Sequence, residues 1–249
     1  MANLFSREMA IIIDAMYQSF IDYDKEYEFY NTLIQEKKCN SVLEIGSGTG
    51  NLATRFHENK QNYLGLDSSQ SMIDIAQKKN KDSTFILGDM RHFELEKPVD
   101  AIIITERSTS YLTNNEDIID TFESVYRNLN PKGIFIFDII DANRFIPFIK
   151  ENELIIHKAV YNGIQYIRES HWETTPLENF LLDWRSDFYR ITADNKKESL
   201  LDDFTTVRVF TLNEIELFLY LNNFEILKII DRKTYAYDTY VIMAQKKIS

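Results

Sequence analysis

The chain has 249 residues, 44% of them hydrophobic, and a formal net charge of −11 at pH 7. This length and composition are typical of a globular protein with one large domain or a domain with an insertion. The negative charge disfavours nucleic-acid binding, which draws most of its affinity from phosphate neutralisation, and no apolar run approaches the roughly 20 residues of a membrane helix.

Residues 7–37 predict one or two N-terminal helices. Apolar side chains recur there at helical spacing, and Asp22 to Asp24 indicate a break. Residues 1–7 lack the basic-then-apolar-then-small order of a signal peptide, and the single cysteine, Cys39, suits a reducing compartment. We therefore expect a cytoplasmic location.

A glycine-rich turn follows the first predicted strand, Val42 to Ile45. Gly46, Gly48 and Gly50 stand at alternate positions, where the absence of a Cβ atom lets a ligand approach the backbone closely. A helix predicted over residues 51–58 would direct its first N–H groups at a polar ligand. Open α/β sheets bind ligands at this end of their strands, so we expect a nucleotide-type site here.

The next two predicted strands end in acidic residues. Residues 63–67 form a short apolar strand that ends at Asp67. The Asp67 carboxylate can accept hydrogen bonds from two ribose hydroxyls, or it can cap the following helix. Residues 84–90 form a third strand that closes on Gly88-Asp89-Met90.

Strands and helices continue to alternate as far as residue 138. Further strands are predicted at 100–105 and 133–138, and helices at about 70–79 and 115–129. Such alternation is typical of a parallel sheet with helices on its faces.

These motifs resemble those of the class I S-adenosylmethionine-dependent methyltransferases. The glycine pattern from Glu44 to Gly50, Asp67 after strand two and Gly88-Asp89-Met90 after strand three occur in that family's order and spacing. The resemblance implies a Rossmann-like α/β sheet that is mostly parallel with an antiparallel last strand. It also implies S-adenosyl-L-methionine as the cofactor.

The resemblance further implies roles for individual residues. Asp67 would hold the ribose, Met72 would pack near the adenine, and Asp89 with Met90 would contact the adenine edge. Glu44 would orient the glycine turn or receive the cofactor ammonium group. The expected cofactor-binding residues are Glu44, Gly46, Gly48, Asp67, Ser68, Met72, Asp89, Met90 and Thr105.

Two other functions share these motifs. A nicotinamide-dependent dehydrogenase would use the same kind of sheet, but Asn51 stands where the dinucleotide fingerprint requires its third glycine. A cofactor-binding protein without catalysis would use the insertion described next to bind a protein partner. The sequence favours the methyltransferase and leaves these alternatives open.

Between residues 151 and 210 the pattern changes to β-type runs. Turn signals such as Asn162-Gly163 and Thr175-Pro176 separate these runs. The runs cover residues 154–160, 165–173, 180–191 and 203–210. We therefore predict an antiparallel insertion, over residues 151–210, that covers the substrate site.

The remaining residues would form the cofactor-binding core. This core comprises residues 1–150, which begin with the helical cap, and residues 211–249. A helix is predicted over residues 211–223, and strands at 224–230 and 239–244 would complete the sheet as an antiparallel pair.

Within the superfamily, the chain looks most like the small-molecule group that N-methylates amino-sugar nucleotides. Residues 88–93, residues 108–112 and the insertion carry this likeness. It implies a small-molecule acceptor, an amine of a sugar nucleotide or a similar metabolite, with O-methylation of a sugar or small acid as the alternative. Glu106 and Arg107 depart from the apolar or small residues of these relatives, which suggests an anionic or zwitterionic acceptor.

An amine or alcohol must lose a proton when it is methylated, so a positioned base would help. His171 on the insertion is a candidate, because its place resembles that of a histidine near the acceptor in the amino-sugar enzymes. Tyr17 is a candidate for contact with cofactor or acceptor. Arg107 could pair with an acceptor carboxylate or phosphate, or with Glu106. No paired metal-ligand spacing such as His-x-x-x-His occurs, so we expect no metal site, and a homodimer stays open.

Overall fold

A seven-stranded sheet forms the centre of the computed structural model, which describes residues 6–174, 180–233 and 237–247. The predicted turn at Thr175-Pro176 and residues 1–5 lie outside these ranges. In chain order the elements are α1 (Arg7–Phe20), α2 (Tyr23–Glu36), β1 (Ser41–Ile45), α3 (Asn51–Glu58), β2 (Asn62–Asp67), α4 (Gln70–Lys79), β3 (Thr84–Leu87), β4 (Val99–Ile104), α5 (Asn115–Asn128), β5 (Leu129–Ile140), α6 (Ala142–Glu151), β6 (Ile155–Tyr161), β7 (Ile164–Thr174), β8 (Leu181–Ile191), β9 (Lys197–Arg208), α7 (Leu212–Leu221), β10 (Phe224–Arg232) and β11 (Thr239–Lys246).

Parallel pairing dominates the central sheet. Its strand order is β10-β11-β5-β4-β1-β2-β3, and β11 runs antiparallel to both of its neighbours. Ile45 pairs with Leu66 on one side and with Ile104 on the other, so the carboxyl ends of β1, β2 and β4 meet at one edge. The predicted α/β fold class, with its antiparallel strand at the end of the chain, is confirmed.

Helices cover both faces of this sheet, because its strands are apolar on both sides. On one face the sheet packs against Tyr30 of α2, Phe56 of α3 and Ile73 of α4. On the other face it packs against Phe122 of α5 and Leu219 of α7. None of the described helices combines the length and apolar character needed to span a bilayer.

A second sheet has the antiparallel order β6-β7-β8-β9, and it packs on the central domain through helices α1 and α6. Met9 and Ile13 of α1 pack against Phe188 of β8 and Leu201 of β9. Met72 of α4 belongs to the same apolar cluster. Helix α1 therefore lies between the second sheet and the edge at which the parallel strands end.

Several elements differ from the sequence prediction, and strand β3 ends at Leu87 rather than Met90. The sequence pattern does not predict α6, which contains Pro147. Strand β5 begins at Leu129 rather than Gly133, because Leu129 already pairs with β4 and a register shift accommodates the residues between. Strand β9 begins at Lys197 rather than Asp203, because its pairing continues to the last residue of β8.

Candidate active site

A cavity at the carboxyl edge of β1 and β2, here called the glycine-loop cavity, has an empty volume of about 960 Å³. Gly46 and Gly48 of the turn, Asp67 of β2 and Met72 of α4 line it, and Ile13 contributes from α1. Its walls thus come from the central sheet, the N-terminal helix and the second sheet.

Three residues of the turn have left-handed backbone conformations. The φ angles are +73° at Gly46, +52° at Gly48 and +76° at Gly50, a region that other L-residues rarely adopt. A Cβ atom at Gly48 would meet no heavy atom within 4 Å, whereas one at Gly46 would lie 3.0 Å from the Cβ atom of Ser108. Gly48 is therefore open to the cavity, and Gly46 packs against the chain itself.

Asp67 joins the glycine turn to the start of α4. Its Oδ2 atom accepts a hydrogen bond from the Gly48 N–H group and its Oδ1 atom accepts one from the Ser69 N–H group, each at 2.8 Å. Burial raises the pKa of the Asp67 carboxyl, and these backbone donors oppose that shift. A carboxylate offers about four acceptor positions, so positions remain for ligand hydroxyls. The turn and this carboxylate therefore fit an adenosyl ligand.

Glu44 lies beneath the turn in a buried hydrogen-bond network. Its Oε2 atom accepts a hydrogen bond from the Tyr63 hydroxyl at 2.5 Å, and its Oε1 atom accepts one from the Thr105 hydroxyl at 2.9 Å. Burial raises the pKa of Glu44 to about 7. Thr105 is 1% exposed and does not line the cavity. It orients Glu44 through this hydrogen bond.

Asp14 ties helix α1 to the glycine turn. Its carboxylate accepts hydrogen bonds from Asn51 at 3.0 Å, from Lys79 at 2.6 Å and from Thr49. Burial raises the pKa of Asp14, but the bonds from these donors outweigh that effect and lower it overall. Sequence reasoning missed Asp14, because these partners are at least 35 residues away along the chain.

A second cavity, here called the aromatic cavity, adjoins the first and has an empty volume of about 720 Å³. Trp172 of β7 and Trp184 of β8 form its wall on the second sheet, with stacked rings whose centroids are 4.8 Å apart. The residues that line both cavities are Tyr17, Glu106, Tyr111, Arg168 and Trp184. The two cavities therefore meet along a shared wall.

Glu106 and Arg107 occupy the loop after β4 in a rare backbone conformation. Their φ angles are +55° and +66°, and such conformations cost about 1–3 kcal/mol each for residues other than glycine. Asp138 accepts a hydrogen bond from the Arg107 N–H group at 2.9 Å, and the Arg107 guanidinium lies 4.5 Å from the ring centroid of Tyr237. Strain held by tertiary contacts at a cavity wall is typical of functional sites.

Of the described acidic residues, Glu106 alone lines both cavities. Burial, reinforced by the charge of Glu44, raises the pKa of its carboxyl to about 8, and a hydrogen bond from Tyr23 opposes that shift. A carboxyl whose pKa lies near the working pH is suited to accept and release a proton.

The predicted cofactor residues fall into two groups. Those that line the glycine-loop cavity are Glu44, Gly46, Gly48, Asp67 and Met72. Ser68 is exposed, and Thr105 lies below Glu44, so neither is among the lining residues.

Asp89 and Met90 are also absent from the residues that line this cavity. The Asp89 carboxylate accepts hydrogen bonds from the Arg91 guanidinium at 2.9 Å and 2.5 Å, and Arg91 holds the pKa of Asp89 below its usual range. Arg91 also reaches Asp117 at 3.0 Å. This ion-pair network fixes the loop after β3, and the contact of Asp89 and Met90 with the adenine stays a prediction.

Tyr17 and Arg107, two of the predicted catalytic residues, line the aromatic cavity, whereas His171 does not. Side chains alternate between the two faces of a strand. Ser170 and Trp172 line the cavity, so His171 between them points to the opposite face, where it is exposed. His171 is therefore not among the predicted residues that the structure brings together at the two cavities.

Comparisons with known proteins agree with this architecture. Residues 42–133 match a family model described as a methyltransferase domain. The chain is 30% identical over 210 residues to YqeM, an inferred methyltransferase of Bacillus subtilis, which covers 71% of this chain and 84% of the relative. It is 28% identical over 119 residues to a dTDP-3-amino-3,4,6-trideoxy-alpha-D-glucopyranose N,N-dimethyltransferase of Streptomyces venezuelae, covering 47% of this chain and 50% of that protein. The structure of an S-adenosylmethionine-dependent methyltransferase from Clostridium acetobutylicum has the same fold, with a TM-score of 0.76 at 20% identity over 97% of this chain and 98% of the other.

Proposed function

Because this chain belongs to the class I S-adenosylmethionine-dependent methyltransferases, we propose that it methylates the amine of a small polar metabolite. Its cofactor, S-adenosyl-L-methionine, supplies an electrophilic methyl group on a positively charged sulfur. The dTDP-amino-sugar N,N-dimethyltransferases among the relatives support an amine as the acceptor. An amine of a sugar nucleotide is therefore the first acceptor to test.

The shared wall between the two cavities carries this proposal. Asp67 and the glycine turn suit an adenosyl ligand in one cavity, and the aromatic cavity opens from the same wall. An acceptor in the aromatic cavity would face that ligand directly. Such a transfer needs alignment of the reacting atoms and exclusion of water from the site. The stacked rings of Trp172 and Trp184 suit the exclusion of water.

Glu106 is the base in this proposal. A protonated amine has no lone pair for attack, so it must first give up a proton. Glu106 lines both cavities, and it is held by the strained loop whose position Asp138 fixes through Arg107. A base whose position is set by folding needs little reorganisation when the amine arrives.

Binding and transfer measurements test the proposed function. Isothermal titration calorimetry with S-adenosylhomocysteine, and with NAD as the control, tests the cofactor cavity. Transfer of labelled methyl groups to a panel of amines and amino-sugar nucleotides tests the reaction. We expect S-adenosylhomocysteine to bind, NAD not to bind, and label to appear on an amine. Binding of NAD alone, or absence of labelled amine across the panel, would overturn the proposal.

The variant Glu106→Gln tests the base. We expect kcat to fall by about 10²- to 10⁴-fold, with little change in the affinity for S-adenosylhomocysteine. Glu94→Gln, at an exposed position, is the matched control and should keep the wild-type kcat. Wild-type turnover by Glu106→Gln would remove Glu106 from the mechanism.

A further inference from the structure

Arg168 is a buried arginine at the centre of the two cavities. It is 6% exposed, and it lines both the glycine-loop cavity and the aromatic cavity. Ser170 and Trp172, at the next alternate positions of β7, share its face and line the aromatic cavity. The guanidinium is therefore directed at ligand space rather than at solvent.

The described partners of Arg168 do not neutralise its charge. Its Nη2 atom lies 3.2 Å from His157 Nδ1. Burial and the Arg168 charge lower the pKa of His157 to about 4, so that the imidazole is neutral and Nδ1 accepts the bond. The rings of Tyr17 and Trp184 lie 5.7 Å and 5.4 Å from the guanidinium carbon. The buried Nε atom has no hydrogen-bond partner.

Acidic groups line the same cavities but do not pair with Arg168. Glu106 and Asp203 are both lining residues, yet no carboxylate of the described ranges lies within the 4.0 Å of an ion pair with Arg168. Burial raises the pKa values of Glu106 and Asp203. A buried guanidinium without a carboxylate is costly unless something else compensates it, and here the open side faces the ligand.

We propose that the acceptor is a zwitterion, an amine that also carries an anionic group, and that Arg168 binds the anion. This inference rests on the proposed function, in which the amine approaches Glu106. Arg168 and Glu106 both line the wall that the two cavities share, so one acceptor molecule can present its amine to Glu106 and its anionic group to Arg168. A guanidinium binds a carboxylate or a phosphate through paired hydrogen bonds. The flat rings of Trp172 and Trp184 line the aromatic cavity in which the acceptor would lie.

A matched set of probes tests this assignment. The probes are 3-(aminomethyl)benzoate, its phosphonate analogue and its neutral amide, and each is titrated into the full chain saturated with S-adenosylhomocysteine. We expect the better of the two anionic probes to bind roughly 10- to 100-fold tighter than the amide, as for a hydrogen bond to a charged group. The carboxylate and phosphonate arms show which anion the site prefers.

Variants of Arg168 test whether this residue causes the preference for an anionic probe. In Arg168→Gln the three probes should bind within about 3-fold of one another, and Arg168→Lys should retain part of the preference because it keeps the charge. Arg185→Gln is the matched control, since Arg185 is exposed on the same sheet and pairs with Asp187 and Asp202. It should keep the wild-type preference.

The outcomes separate this inference from the proposed function. Failure to bind S-adenosylhomocysteine would overturn both. Binding of S-adenosylhomocysteine with equal affinity for amide and anionic probes, or with no binding of any anionic probe, would overturn the inference alone. Full anion preference in a folded Arg168→Gln protein would show that another group binds the anion. If Arg168→Gln does not fold, Arg168→Lys replaces it, and an unaltered preference there is likewise contrary to the assignment.

Discussion

Gly46 and Gly48 offer a matched test of the site, because the same substitution should mainly weaken folding at Gly46 and mainly weaken ligand binding at Gly48. Both have left-handed φ angles, +73° and +52°. Alanine at either position should cost about 1–2 kcal/mol through the backbone. Alanine also restricts the unfolded chain, which offsets about 0.4–1 kcal/mol of that cost.

Gly46→Ala adds a steric conflict that Gly48→Ala lacks. The new Cβ atom would lie 3.0 Å from Ser108 Cβ and closer still to Ser108 Oγ, and overpacking of this kind costs about 1–3 kcal/mol. We therefore expect Gly46→Ala to lower the free energy of unfolding by roughly 1–5 kcal/mol, and Gly48→Ala by roughly 0–2 kcal/mol.

Ligand affinity should show the opposite order. A Cβ atom at Gly48 has no heavy atom within 4 Å and enters the glycine-loop cavity. Gly48→Ala should therefore weaken the binding of S-adenosylhomocysteine more than Gly46→Ala does.

Urea denaturation of the ligand-free variants measures the first effect, and calorimetric titration with S-adenosylhomocysteine measures the second. Adding Ser108→Gly should restore the steric part of the loss in Gly46→Ala and should restore nothing in Gly48→Ala. Equal unfolding free energies for the two alanine variants, or no rescue by Ser108→Gly, would refute the reasoning.

Three further predictions concern acidic and histidine side chains. Asp67→Asn should weaken S-adenosylhomocysteine binding by about 1–3 kcal/mol, since it removes a charged acceptor; an unchanged dissociation constant by calorimetry would contradict this. The free energy of unfolding of the ligand-free protein should fall as the pH rises from about 5 to 8, because folding raises the pKa values of Glu44 to about 7, of Glu106 to about 8 and of Asp138 to about 6, so the unfolded chain releases these protons at lower pH. Urea titrations across that range measure the free energy of unfolding at each pH, and an increase with pH would contradict the prediction. His171→Ala should keep the wild-type kcat and KM, because the side chain lies outside both cavities; a tenfold loss in steady-state assays would restore it as a candidate.

Local patterns in the sequence predicted the elements that build the glycine-loop cavity. The turn after β1 needs left-handed residues, and glycine supplies them at Gly46 and Gly48 whatever the rest of the fold does. Helix α4 covers residues 70–79 as predicted, because its cap and its apolar spacing lie within one short segment. Asp67 follows from the length of β2, which ends where the carboxylate can reach the turn.

Contacts between distant segments could not be predicted in this way. The pattern of β7 does not reveal which face the second sheet turns towards the core. The sequence prediction therefore named His171 and did not name Arg168, which lines both cavities. The loop conformation at Glu106 depends on Asp138, which lies on another strand. Asp14 depends on Lys79, which is 65 residues away along the chain.

The wall common to both cavities has a thermodynamic consequence. Its members, such as Tyr17 and Glu106, contact whatever occupies either side, so ordering them for one ligand prearranges them for the other. Thermodynamic linkage makes this coupling reciprocal. If the bound methyl donor tightens acceptor binding by some factor, the bound acceptor tightens donor binding by the same factor. An enzyme with an empty donor side should thus be a poorer receptor for its acceptor, and an enzyme with an empty acceptor side should be a poorer receptor for its donor.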